Sequence, residues 1–185
     1  RASDDAPRAR VVCGSLEERP EAAPCELSFV PLSSIHALGS EDAIARHLAA
    51  AAASLRPGGV HVIEATHPAD LGPNGVNRTE WTEVRGDVVI DARFRMHVGR
   101  AGQDRCVPVT LEVVAGKKGA RADAPERGRL RQEDRWFIPD LAAWRRIVAR
   151  VPAFELTAAL GDFNVDVPFE HAAAWRLILV LKNRG

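Results

Sequence analysis

The chain has 185 residues, 46% hydrophobic and 27% charged, the proportions of one globular domain with a sizeable core. Lys plus Arg balance Asp plus Glu at 25 each, so no net field favours nucleic acid or an anionic membrane. No run is long and apolar enough for a membrane span, nothing at the start resembles a signal peptide, and Cys13, Cys25 and Cys106 form no CxxC pair, which points to reduced thiols and a cytoplasmic setting.

Residues 1–9 are polar and read as loop, and Arg10 to Gly14 reads as a short strand around Val11, Val12 and Cys13. A connector rich in Glu and Pro follows. Leu27 to Pro31 reads as the next strand, ended by a proline that cannot donate to a ladder. Ser40 is a good N-cap, with Glu41 and Asp42 in the first turn. Ile44, Leu48, Ala51, Ala52 and Leu55 then recur at helical spacing, and Pro57-Gly58-Gly59 stops that helix. Val60, Val62 and Ile63 predict a buried strand of the parallel type.

From His67 to Arg135 the pattern changes. Val84 to Val98 alternates as one half-buried strand, and Val107 to Val113 alternates likewise as its antiparallel partner. Residues 116–131, rich in Gly, Lys, Arg and Ala, read as a solvated loop. Pro139 suits the first turn of a helix carrying the stripe Leu141, Trp144, Ile147, Val148 and Val151. Phe154 to Leu160 and Ala174 to Leu181 close the chain as strands, with a turn region around Pro168 between them.

Local sequences in this order resemble the class I S-adenosylmethionine-dependent methyltransferases, small-molecule branch. Cys25-Glu26-Leu27-Ser28-Phe29 stands where that family has its fourth strand, and Val30 to His36 is similar to its cofactor loop. Leu55-Arg56-Pro57-Gly58-Gly59 resembles its Leu-x-Pro-Gly-Gly turn, and Gly161-Asp162-Phe163 resembles the approach to its last hairpin. The resemblance covers roughly residues 8–66 and 136–185. It implies an α/β, Rossmann-like sheet holding family strands 3, 4, 5, 6 and 7, the seventh antiparallel, with residues 67–135 inserted as an antiparallel substrate lid.

The family's glycine-rich loop and the acid that grips the ribose are absent from the sequence, and no GxGxxG occurs. Arg1 to Gly14 resembles the approach to the third strand. The expectation is therefore a truncated domain, with the first two strands lying before residue 1 and the chain forming the carboxyl-terminal part. Otherwise the third-strand segment shifts to pair with the fourth, or a partner chain, as in a homodimer, covers the exposed edge.

The resemblance implies S-adenosylmethionine as cofactor and a small-molecule hydroxyl or amine as methyl acceptor, with no nucleic-acid or membrane partner. Ser15 and Leu16 match the adenine-holding pair, serine standing in for the family's acid. Val30, Pro31 and Leu32 match the wall at the methionine end. His36 is the candidate general base, since an imidazole suits removal of a proton from a hydroxyl or ammonium; its alternative is to pack the loop. Ser33 and Ser34 orient the acceptor or satisfy the loop backbone. Trp81, Arg93, Arg95, His97 and Trp136 form a candidate aromatic and cationic pocket for a small acceptor, an anion among the choices, against a plainer reading as hydrophobic plugs and a solvated sheet face. The basic cluster Lys117, Lys118, Arg121, Arg127, Arg129 and Arg131 reads as a solvated loop. His61, Glu64 and His67 do not read as a metal site, because strand alternation points His61 and Glu64 opposite ways. The rival to the enzyme reading is a non-catalytic methyltransferase-like interaction or dimerisation module.

Overall fold

A computed structural model describes residues 11–18, 24–71, 78–98, 105–119 and 128–185. The expectations for residues 1–10, and for Arg121 and Arg127, lie outside them. Helix α1 (Glu41–Ser54) starts where the Ser40 hydroxyl accepts the Ala43 N–H at 3.2 Å, with Glu41 and Asp42 in its first turn. Helix α2 (Leu141–Ala149) is capped the same way by Asp140, whose carboxylate accepts the Ala143 N–H at 2.8 Å. That backbone bond, more than the neighbouring Arg105, holds the Asp140 pKa below its usual value. Pro139 thus stands just outside the helix rather than in its first turn.

Both helices lie on one face of a four-stranded sheet built from β1 (Cys25–Val30), β2 (Leu55–Thr66), β7 (Phe154–Leu160) and β8 (Arg176–Asn183), in the order β1-β2-β8-β7. Strands β1 and β2 are parallel neighbours, with Leu27 opposite Val60 and Val30 opposite Ile63. Strand β8 is antiparallel to both β2 and β7. Alternation puts Val30, Ile63, Ala65, Leu177, Leu179 and Leu181 against Ile44, Leu48, Trp144 and Ile147 of the helices. Each such burial is worth roughly 1.5–3 kcal/mol, so this face carries the core. The opposite face is open at β1, where Leu27 is 58% and Phe29 66% exposed.

Asn183 ties α1 to the sheet. Its side-chain amide nitrogen lies 3.1–3.3 Å from the carbonyls of Ala52, Leu55 and Arg56 and donates to them where the chain passes from α1 into β2. The Pro57-Gly58-Gly59 turn is an irregularity at the start of β2, and a Cβ on Gly59 would stand 2.9 Å from the Arg56 carbonyl.

A second sheet is antiparallel throughout: β3 (Arg78–Arg85), β4 (Val88–Met96), β5 (Cys106–Lys117) and β6 (Gly128–Phe137), in that order. Three expectations need correction here. The segment read as one strand from Val84 is a hairpin, because Gly86, at φ +61°, turns the chain between β3 and β4. Residues 128–131 are not loop but the start of β6, paired along its length with β5. Residues 11–14 join no strand, so among the described residues the outer edge of β1 has no neighbour.

Candidate active site

The chain leaves β1 through two residues in the left-handed region, Leu32 (φ +56°) and Ser33 (φ +57°). For a leucine this conformation costs roughly 1 kcal/mol, so something must hold it. Glu64, on the open face of β2, accepts the Leu32 N–H at 2.7 Å. The Ser33 side chain is buried, and its hydroxyl accepts from Thr66 at 3.2 Å. A 3-10 turn follows over Ser34–Leu38 and closes on Gly39 at φ +73°, a conformation that favours glycine.

Between this loop and the inner face of the second sheet lies a cavity of about 600 Å³, within the range of small-molecule sites. Leu32, Ser33 and Thr66 form one wall, where the parallel strands β1 and β2 end. Trp81, Phe94, Met96, Leu111 and Trp136 form the facing wall, and Trp175 and Arg176 stand at the start of β8. The charged groups lining it are Asp134 and Arg176. The guanidinium of Arg176 lies 3.5 Å from the second Glu64 oxygen and 4.8 Å over the Trp175 ring.

Of the predicted residues, the structure gathers Leu32, Trp81 and Trp136 at the cavity, together with Ser33. The others go elsewhere, each for a visible reason. Arg93 and Arg95 occupy the outward positions of β4, alternating with the inward Ala92, Phe94 and Met96; Arg93 pairs with Glu80 at 3.6 Å. His97 sits at the end of β4, bonded to the Thr110 hydroxyl at 2.9 Å. Ser34 turns its hydroxyl back to the Pro31 carbonyl at 2.9 Å, and Pro31 itself is exposed. The Val30 side chain joins the helix-covered core. Ser15 takes the Glu17 N–H at 3.2 Å, and the Leu16 carbonyl accepts from His47 on α1 at 2.7 Å, so neither residue lines the cavity.

His36 is placed against a base role. Its ring is fully buried, Nδ1–H donates to the Phe137 carbonyl at 2.7 Å, and Nε2 accepts the Thr66 N–H at 2.9 Å. These partners fix one neutral tautomer and leave no nitrogen for a substrate proton. Burial pushes its pKa down from 6.5 to about 4, against the weaker upward pull of the Phe137 carbonyl. The ring joins β6, β2 and the loop, which is the packing alternative.

His61, Glu64 and His67 lie apart. His61 accepts the Ser28 hydroxyl at 2.8 Å and meets His47 at 3.1 Å, in a file that ends at the Leu16 carbonyl. Burial, then the nearby His47, lowers the His61 pKa to about 4. His67 packs on Phe169 and reaches its carbonyl at 3.3 Å.

Glu64, Thr66, Phe94, Met96, Gln132, Asp134, Trp175 and Arg176 were not legible as site residues in the sequence. The period-two series Leu130, Gln132, Asp134, Trp136 is the one signal that points to some of them, since it puts four side chains on one face of β6.

No family model and no curated protein matches the chain. Solved structures do match. A S-adenosylmethionine-dependent methyltransferase from Clostridium acetobutylicum ATCC 824 is 12% identical, with a TM-score of 0.69 over 96% of this chain and 66% of its own. The fold is that of the class I methyltransferases. The sugar N-methyltransferase KedS8 from Streptoalloteichus sp. ATCC 53650 is 16% identical at a TM-score of 0.65, over 93% of this chain and 61% of its own. CalS10, an amino pentose methyltransferase from Micromonospora echinaspora, is 14% identical at a TM-score of 0.57, over 92% and 63%. At these identities the likeness is one of Rossmann-like α/β fold, and the chain spans less than two thirds of each of these methyltransferases. Among the described residues no helix is long and apolar enough to cross a membrane.

Proposed function

We propose that this chain is the carboxyl-terminal part of a S-adenosylmethionine-dependent methyltransferase acting on a hydroxyl or amine of a small molecule. In this reading β1, β2, β7 and β8 are the family's fourth, fifth, sixth and seventh strands, and the second sheet is the substrate lid. The observation that carries it is the cavity at the carboxyl ends of two adjacent parallel strands, where open α/β sheets take their ligands.

The residues present fit the methyl-bearing end of the cofactor. A sulfonium is a cation, and the cavity offers tryptophan faces beside the Leu32–Ser33 loop. They do not extend to its nucleoside end, since Ser15 and Leu16 are bonded elsewhere and the sequence has no glycine-rich loop. Leu32 and Ser33 would hold the methionine side, and the cofactor supplies an electrophilic methyl group. The chain's own work is then positioning. Glu64 fixes Leu32, Thr66 holds Ser33, and the indoles of Trp81, Trp136 and Trp175 line the acceptor's approach. His36 acts here as a neutral brace that sets the distance between loop and lid.

Calorimetric titration of the full natural protein with S-adenosylhomocysteine tests the reading. Saturable binding is expected, and no binding rejects it. The rival, a non-catalytic interaction module, draws on the unpaired β1 edge and the exposed Leu27 and Phe29, and it predicts self-association without cofactor binding.

A further inference from the structure

We infer that Asp134 makes the cavity selective for an acceptor carrying a protonated amine, and that this residue sets specificity from the lid side. The inference rests on the cavity's assignment as the acceptor site and names the class of molecule it takes.

Three of the chain's four tryptophans, Trp81, Trp136 and Trp175, line this one cavity. Indole faces attract cations, and more strongly when water is excluded. Asp134 stands among them on the inner face of β6, opposite Val109 of β5. It is half-buried, and its one bond is to the neighbouring Arg135 N–H at 2.7 Å, made by a single carboxylate oxygen. Among the described residues it has no ion-pair partner. The other charge at the cavity, Arg176, lies 3.5 Å from Glu64 and is seated over Trp175, its buried Nε making no hydrogen bond among the described residues. Of the two charges lining the cavity, Asp134 is therefore the one with no counter-ion among the described residues. A half-buried carboxylate with no cation beside it among the described residues, walled by indoles, is arranged to receive an ammonium group. Asp134 binds that group; the nitrogen that takes the methyl must be uncharged, so the residue is a determinant of affinity rather than a proton acceptor.

The clustered tryptophans supply the readout. Intrinsic fluorescence of the protein is titrated at pH 7 with 2-phenylethylamine, 2-phenylethanol and 3-phenylpropionate, which share one aromatic arm and differ in terminal charge. The ammonium is expected to bind about tenfold more tightly than the alcohol, with the carboxylate weakest. Asp134→Asn is expected to bring ammonium and alcohol within about twofold of one another, a loss of the tenfold preference. Asp134→Glu, which keeps the charge, is expected to retain the preference, and this separates loss of charge from loss of structure. Equal affinities for the three probes, tightest binding of the carboxylate, no saturable quenching by the ammonium, or a preference that survives Asp134→Asn would each overturn the inference. A parallel titration with S-adenosylhomocysteine keeps the two readings distinguishable. Cofactor binding without ammonium preference rejects the role of Asp134 alone, and ammonium preference without cofactor binding rejects methyl transfer alone.

Discussion

His36 shows how burial converts a catalytic-looking side chain into a structural one. Both ring nitrogens are bonded, to the Phe137 carbonyl and the Thr66 N–H, and the ring is neutral. Replacement by alanine leaves two buried backbone groups without partners and opens a void, a loss of roughly 2–4 kcal/mol measurable by urea unfolding. The same ring makes stability depend on pH. Its folded pKa of about 4 lies below the 6.5 usual for histidine, so between those limits the unfolded chain holds a proton that the folded chain does not. Stability is therefore complete above pH 6.5 and falls as pH drops toward 4, by on the order of 3 kcal/mol for this ring. His61 adds a shift of the same sign. The urea midpoint is expected to fall steadily from pH 7 to pH 4.5, more gently in His36→Ala; a flat profile would contradict the buried neutral ring.

At the scale of elements, the strands and helices of the first sheet were legible because each has a core face. Ile44, Leu48 and Ala51 mark α1, and Leu177, Leu179 and Leu181 mark β8, by the side they bury. Strand β6 was not legible, and its outward positions explain half of the reason: Arg129, Arg131, Glu133 and Arg135 face solvent. Its inward positions explain the rest. Gln132 and Asp134 face a cavity rather than a core, so no apolar alternation marks the strand. Gln132 and Asp134 were hidden by the same cause, since strand parity cannot be read before the strand is recognised. That parity also sends Arg93 and Arg95 away from the cavity. Two joints between elements are open to test. Asn183→Ala is expected to cost about 2 kcal/mol, because the α1–β2 junction loses the buried amide that donates to its carbonyls. Gly161→Ala is expected to cost at least about 2 kcal/mol, because the new methyl would stand 2.4 Å from the Ala174 Cβ and 2.8 Å from the Pro168 carbonyl. Thermal melts check both, and an unchanged midpoint in either would contradict the packing described.

Across the whole molecule, one face of the first sheet is closed by helices and the other is open at β1. Among the described residues the outer edge of β1 has no neighbour, and such an edge beside exposed Leu27 and Phe29 is a surface that recruits further strands. The 185-residue chain alone is expected to self-associate with rising concentration in sedimentation experiments, and Phe29→Lys is expected to weaken that association; a strictly monomeric chain would show that the edge is masked. The open side adjoins the loop that carries Leu32 and Ser33, so fold, edge and cavity converge at the ends of β1 and β2. Hydrogen exchange of the full natural protein, with and without S-adenosylhomocysteine, tests that convergence most directly. Slowed exchange of the amides from Leu32 to Ile35 on adding the ligand is the result the account predicts, and binding that leaves those amides unchanged would contradict it.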